Sequence, residues 1–280
     1  PMNENSTEHF DLIIEPRQSI RHFWRELWKY RELFYFLSWR DVLVQYKQTV
    51  VGVLWSVLRP LLTMLVFTFI FCRLARLPAE GIPYPVLVFC GMLPWYFFAT
   101  TLSESSNSLV GNANLISKIY FPRLIIPVST LLVGLVDFLI SFVILCGLLG
   151  WYGIWPDWHW LALPFFLLLA CVAALGAGLW FAAWNVKYRD FRYVLPFVVQ
   201  FGLYISPVGF SSTILPVKWR LFYALNPMVG VINGFRWTLT GGGTAMDLST
   251  LLISIAVSFI LLSSGLMHFR KMEREFADVI

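Results

Sequence analysis

The sequence predicts an all-α membrane protein with six transmembrane helices per protomer. It places an amphipathic helix ahead of them and re-entrant half-helices between the fifth and sixth. Three observations carry this fold class. Of the 280 residues, 58% are hydrophobic and only 13% charged, whereas soluble domains carry about a quarter charged residues. So much apolar surface cannot be hidden inside one globule, and much of it must face lipid. Six stretches reach or approach the roughly 20 apolar residues that cross a bilayer. Lysine and arginine, finally, are distributed unequally between alternate loops, as orientation in a membrane requires.

The elements follow in chain order. Residues 1–30 form an N-terminal segment. The first fifty residues are charged and lack an apolar run before a small-residue cleavage site, so no cleavable signal peptide is expected. Over 31–48 a helical wheel gives a narrow polar wedge of Arg31, Ser38, Asp41, Gln45 and Gln48. Leu33, Phe36, Leu37, Leu43 and Val44 lie opposite, with Tyr35, Trp39 and Tyr46 at the border. That pattern predicts a helix lying in the headgroup plane, ahead of a six-span domain over 49–269 and a tail over 270–280.

The spans are predicted at Val50 to Cys72, Pro85 to Leu102, Leu124 to Leu149, Trp160 to Trp184, Val194 to Phe210 and Leu248 to Phe269. With an even number, both termini share one side. That side carries fifteen of the 21 lysines and arginines, among them Lys118, Arg123, Lys187 and Arg270. Both termini are therefore placed in the cytoplasm. Ser211 to Thr240 is apolar enough to enter a membrane but is broken by Pro216, Asn226, Pro227 and Asn233, and it carries Arg236. Two half-helices that dip in and return fit it better than a straight seventh span. Broken backbone at that depth must be buried in protein or line a watery path. Short apolar stretches there, Val229 to Ile232 among them, could close a path by excluding water.

No catalytic constellation appears. The sequence holds no GxxxxGK[ST] for nucleotide phosphates, no GxSxG and no HExxH. Cys72, Cys90, Cys146 and Cys171 all lie in apolar runs without a CxxC, so no metal site or disulfide is expected. Ionisable residues within spans are costly and are functional candidates. Asp137 is either on a transport path or a structural partner between helices. Glu104 stands in the polar run "SESSNS" where the second span leaves the membrane. Arg59, just before Pro60, reads as a snorkelling or structural residue.

Aromatic residues make up 18% of the chain. The cluster Trp151 to Trp160 reads as an interfacial belt. Trp95, Tyr96 and Phe97, with Tyr204 in the fifth span, could line a sugar path, because flat apolar rings with polar edges suit sugar faces. Consecutive helical residues lie about 100° apart, so only one or two of the three can face it.

The stretch "LISKIYFPR" interrupts long apolar runs on the cytoplasmic side. Asn112 or Asn114 can cap a helix that starts near Leu115, and Phe121 before Pro122 should end it after about two turns. So short a helix is unstable alone and needs a surface to lie against. Leu115, Ile116, Ile119 and Tyr120 suit a groove on another protein. Lys118 and Arg123 could instead hold the loop at anionic headgroups.

"YKQTVVGVLWSVLRPLLTMLVF", "GMLPWYFF", "NANLISKIYFPRLIIP", "NVKYRDFRYVLPF", "SPVGFSSTILP" and "ALNPMVGVINGFRW" occur in that order between Tyr30 and Phe269. Together they resemble the permease subunits of polysaccharide ABC exporters, the O-antigen, capsule and teichoic-acid type of the type-2 ABC permeases. Arg59 departs from the pattern, which leads one to expect an apolar or small residue. The resemblance implies a homodimer with a continuous channel between protomers, and two copies of a separate ATPase subunit. ATP and Mg²⁺ would then sit on that subunit, with no cofactor on this chain.

The resemblance also implies a coupling helix, which places Leu115, Ile116, Lys118, Ile119, Tyr120, Phe121 and Arg123 at the ATPase. It further implies periplasmic gate helices over the segment holding Pro227, Val229, Val231, Ile232 and Arg236. The expected chain is thus a transport subunit of the bacterial inner membrane and not itself an enzyme. Its expected partners are membrane lipids and a lipid-linked, O-antigen-like polysaccharide, with no nucleic acid. A permease of the same class for drugs, haem, lipids or teichoic acid is the nearest alternative. A membrane-embedded transferase and a channel or secondary carrier stand further off.

Overall fold

The computed structural model describes residues 30–47, 52–79, 81–119, 121–188, 190–244 and 246–273. Among them every regular element is helical. In chain order these are α1 (Arg31–Lys47), α2 (Gly52–Thr68), α3 (Tyr84–Gly111), α4 (Ala113–Ile116), α5 (Ile125–Trp151), α6 (Leu163–Lys187), α7 (Phe191–Ile205), α8 (Val217–Tyr223), α9 (Pro227–Leu239) and α10 (Leu248–Met272). Five helical stretches are long and apolar enough to cross a membrane: Val57–Leu74, Tyr84–Gly111, Ile125–Trp151, Trp158–Lys187 and Leu248–Met272. The chain is a multi-pass membrane protein.

The predicted first span runs on from α2 through a wide π-type stretch, Phe69–Leu74. It ends where Arg76 adopts a left-handed φ of 52°. The second is longer than predicted. Its 28 residues make about 42 Å at 1.5 Å per residue, more than the roughly 30 Å hydrocarbon core. Helix continues through "SESSNS" because polar side chains turn back on the helix itself. Ser108 Oγ donates to Ser105 O at 2.7 Å, and Asn107 Nδ2 to Ser103 O at 2.9 Å. Asn185 Nδ2 on α6 donates to Ser106 O at 3.1 Å. The predicted fifth span stops short of Phe210. Ser206 precedes Pro207 and leaves the helical region at ψ 151°, as a residue before proline tends to do. What remains is the 15-residue α7.

The core runs along α3. Val86 to Trp95 are buried, enclosed by α5, α6 and α9 with α2 and α7 more peripheral. A second apolar cluster gathers at the end of the bundle that holds α1 and the last turns of α10. It includes Leu37, Ile116, Phe121, Leu124, Phe269 and Met272. This will be called the terminal end, and the opposite one the far end.

Helix α1 packs Ser38 and, from the predicted apolar face, Leu37 on protein, and leaves Arg31 and Gln45 of the polar wedge exposed. Ser38 is buried and donates to Ser129 O at 3.3 Å, while Phe36, Leu43 and Val44 are exposed. Gln48, the last residue of the predicted wedge, lies outside the described residues.

Candidate functional site

At the terminal end α4 starts at Ala113, two residues before the Leu115 that the sequence implies. Asn112 precedes α4, but its side chain does not cap it. Instead Asn112 Nδ2 donates to Ser108 O at 2.9 Å, closing the end of α3. Its Oδ1 accepts from Arg40 Nη2 on α1 at 2.8 Å. The single turn of α4 extends only through turn contacts, such as Ile119 N–H to Leu115 O at 3.1 Å. Ile116, expected on the outside, points inward and is 8% exposed, and Phe121 is likewise buried. Each finds apolar neighbours on its own protomer, which a helix isolated on the wheel does not have. Ile119 is 55% exposed. Ser117 and Lys118 are exposed as well, and Leu115 is half-buried. Ile116, Ser117, Lys118, Ile119, Phe121 and Arg123 line an open groove of about 310 Å³. Tyr120 lies outside the described residues.

The three consecutive aromatics of α3 divide among different surroundings. Trp95 is buried, its ring filling the space beside Gly202 of α7, where a Cβ would come within 2.6 Å of it. Phe97 is buried edge-on against Phe138 of α5, with centroids 5.9 Å apart. Tyr96 is half-buried under the guanidinium of Arg59, 5.7 Å from its centroid. Tyr204 is exposed and stacks on Phe67 of α2 at 6.5 Å.

It ends an aromatic row on α7. Tyr193, Phe197, Phe201 and Tyr204 are all exposed, at the i, i+4, i+8, i+11 spacing of one helical face. That spacing is visible in "FRYVLPFVVQFGLYI" and would have found the first three members of the row.

Asp137 lies on α5 opposite α1. Its carboxylate accepts from Tyr46 Oη, and from Gln45 Nε2 at 3.1 Å. The first helix is thus held to the bundle by polar contacts along its length, at Ser38, Arg40 and Gln45.

At the far end the chain leaves α7 and runs non-helically through Ser206 to Ser211. Arg236 of α9 holds this run. It is 2% exposed. Its Nη2 donates to Val208 O at 2.8 Å, its Nη1 to Phe210 O at 2.9 Å, and its Nε to Leu87 O of α3 at 3.0 Å. Gly91 makes room, since a Cβ there would meet Arg236 Nη2 at 2.8 Å. Tyr84 Oη donates to Gly209 O, and Tyr223 Oη to Ile205 O, both at 2.6 Å. The carbonyls of a broken backbone away from water need such partners.

Asn226 caps α9 by accepting from Met228 N–H at 3.0 Å, with Pro227 at its first position. Val229, Val231 and Ile232 are fully buried between α9 and its neighbours. Sequence reasoning named Arg236 but not its partners, because carbonyl acceptors leave no trace in side-chain identity.

Among the described residues, no group of three or more His, Cys, Asp or Glu could hold a metal ion. The closest His–carboxylate contact among them is His159 Nδ1 with Asp157 Oδ2 at 2.9 Å. The Trp158 N–H and the His159 ring hold the Asp157 carboxyl below its usual range.

Residues 32–240 match the family profile described as ABC-2 type transporter. The chain is similar to the O-antigen export system permease protein RfbA of Myxococcus xanthus, 31% identical over 91% of this chain and 98% of the relative. A Klebsiella pneumoniae protein of the same name is 28% identical, covering 89% of this chain and 95% of the relative. The polysialic acid transport protein KpsM of Escherichia coli is 23% identical, over 84% and 91% respectively.

Proposed function

The chain belongs to the ABC-2 type transporter family, and from that premise we propose that it is the membrane subunit of an ATP-driven exporter. Its cargo would be a lipid-linked polysaccharide of the O-antigen kind, moved from cytoplasm to periplasm across the bacterial inner membrane. The observation that carries this reading is the similarity, over nine-tenths of the chain, to a permease named for O-antigen export. Two copies of the chain enclose the path, and two ATPase subunits dock at the cytoplasmic face.

Geometry supports each part of the reading. The basic terminal end faces the cytoplasm, with α1 in the headgroup region and its apolar side toward lipid. Helix α7 and the run held by Arg236 make the sixth crossing. At 15 residues α7 alone spans about 22 Å, and the non-helical run completes the distance. Helices α8 and α9 are the half-helices that return to the periplasmic face and act as its gate. The exposed aromatic row on α7 offers flat, weakly polar surfaces along which a glycan can slide.

The groove at Ile119 receives the ATPase. Co-expression with the ABC ATPase that co-purifies with the native permease should give a complex that moves lipid-linked glycan across proteoliposomes when ATP is supplied. Ile119→Asp, at an exposed position, should leave the permease inserted but cut partner capture or ATP-driven export about tenfold, as loss of a central interface contact does. An Ile119→Asp chain that binds and exports normally would remove the groove from the docking site. No ATP-dependent export by the native complex would remove the proposed function.

A further inference from the structure

We propose that Glu273, at the end of α10, is a positioning residue that ties the loop at 115–123 to the last helix. Displacement of the loop then reaches the far-end segment α8–α9 through α10. This rests on the proposed function in one respect, that the ATPase engages this loop.

The loop is fastened to α10 at two points of one residue. Arg123 N–H donates to Glu273 Oε1 at 3.1 Å, and Arg123 Nη1 donates to the Glu273 backbone carbonyl. Behind these bonds, Phe269 and Met272 of α10 share an apolar cluster with Ile116, Phe121 and Leu124. A push on the loop must therefore move the end of α10 or break this packing. Helix α5 joins the loop through the chain itself and would move with it only against α1, α2, α3 and α6; helix α3 joins it in the same way but is the most buried of the long helices. It cannot shift without disturbing the core. Helix α10 has a largely exposed outer face, so it is freer to rotate as a body.

Helix α10 is suited to carry the motion. It runs for 25 residues without proline or interruption. Near its middle it crosses α6 in backbone contact, where a Cβ on Gly176 would lie 2.5 Å from Leu262 N, and it stays packed on α6 toward its last turns, where Trp180 Nε1 donates to Ser264 Oγ at 3.1 Å and the Trp180 ring stacks on His268 at 4.1 Å. Beyond that crossing, the buried Ser254 Oγ accepts from Gly230 N–H at 3.1 Å and donates to Ala224 O at 3.4 Å. Those two backbone groups flank the junction of α8 and α9.

Between Ser254 and Glu273 the helix carries a movement over about 28 Å, at 1.5 Å per residue.

The test uses the full complex in proteoliposomes, in a background where Cys72, Cys90, Cys146 and Cys171 are replaced by Ser or Ala. A single probe cysteine replaces the exposed Phe222 on α8 and is labelled with a maleimide fluorophore. In the native chain nucleotide should change labelling at this position. Glu273→Ala should lower glycan exported per ATP about tenfold, the scale of a lost charge-assisted hydrogen bond. It should also abolish the nucleotide-dependent change while the ATPase remains bound. Glu273→Gln keeps an Oε1 acceptor for Arg123 N–H and should restore both readouts. Ser254→Ala, at the other joint, should uncouple in the same way.

Native export by Glu273→Ala or by Ser254→Ala would overturn the coupling. So would a Glu273→Gln as defective as Glu273→Ala, because the acceptor would then not be what matters. A native complex without any nucleotide response would overturn the proposed function, and this inference with it.

Discussion

Arg236 shows what one side chain must do when a helix stops inside a greasy protein. The run after α7 has carbonyls that no helix satisfies, and the guanidinium fork reaches two of them plus one on α3. Lysine cannot replace it, because a single ammonium has neither the planar spread nor the number of fixed donors. Arg236→Lys should therefore lower stability by about 2 kcal/mol and Arg236→Met by about 4 kcal/mol, since each buried carbonyl left without a donor costs about 1–3 kcal/mol. Thermal unfolding in detergent measures both, and equal melting of all three chains would refute the assignment. Asp137 is a milder case. The sequence left it between a transport path and a helix partner, and its contacts with Tyr46 and Gln45 account for it as a partner of α1. Asp137→Leu should loosen α1, seen as faster proteolysis between 30 and 47 with the spans intact. Unchanged cleavage would return Asp137 to the path.

Among the elements, α3 and α7 divide the aromatic residues by role. Trp95 and Phe97 are buried on α3, whereas Tyr193, Phe197, Phe201 and Tyr204 stand exposed on α7. Phe97→Ala should cost about 3–5 kcal/mol through the cavity it leaves, and any loss of export would follow the loss of folded protein. Phe201→Ala with Tyr204→Ala should leave the melting temperature nearly unchanged and lower export several-fold, because stacking on a sugar disappears with the rings. Normal export from that pair would leave the row as lipid-facing only. The sequence shows that three adjacent rings cannot share a face. It cannot show which ring turns inward, because that depends on Gly202 and Phe138, more than forty residues away. Ile116 was misplaced for the same reason, its inner neighbours coming from the far end of the chain at Phe269 and Met272.

At the scale of the molecule, hydropathy alone located the five long crossings, because twenty apolar residues in lipid have few other solutions. The lengths were less legible. Proline and serine chemistry shortened α7 at Ser206, and hydroxyls bonding back to the helix lengthened α3. What hydropathy cannot see is which lipid-like face meets protein. On α2 and the π-type stretch after it, Leu62, Leu65, Val66 and Phe69 are exposed, while the buried Phe67, on another side of α2, stacks with Tyr204 of the α7 row. In the proposed dimer, a second copy related by a two-fold axis would face these two exposed surfaces. The outer face of α10, with Leu252, Phe259 and Ile260 exposed, carries no comparable aromatic row and should meet lipid. In a background without the native cysteines, Phe69→Cys should form a disulfide-linked dimer on mild oxidation in the membrane, and Ile260→Cys should stay monomeric. Cross-linking at Ile260 but not at Phe69 would place the dimer contact on the α10 side. The α7 row would then face lipid and could not line a path between two copies.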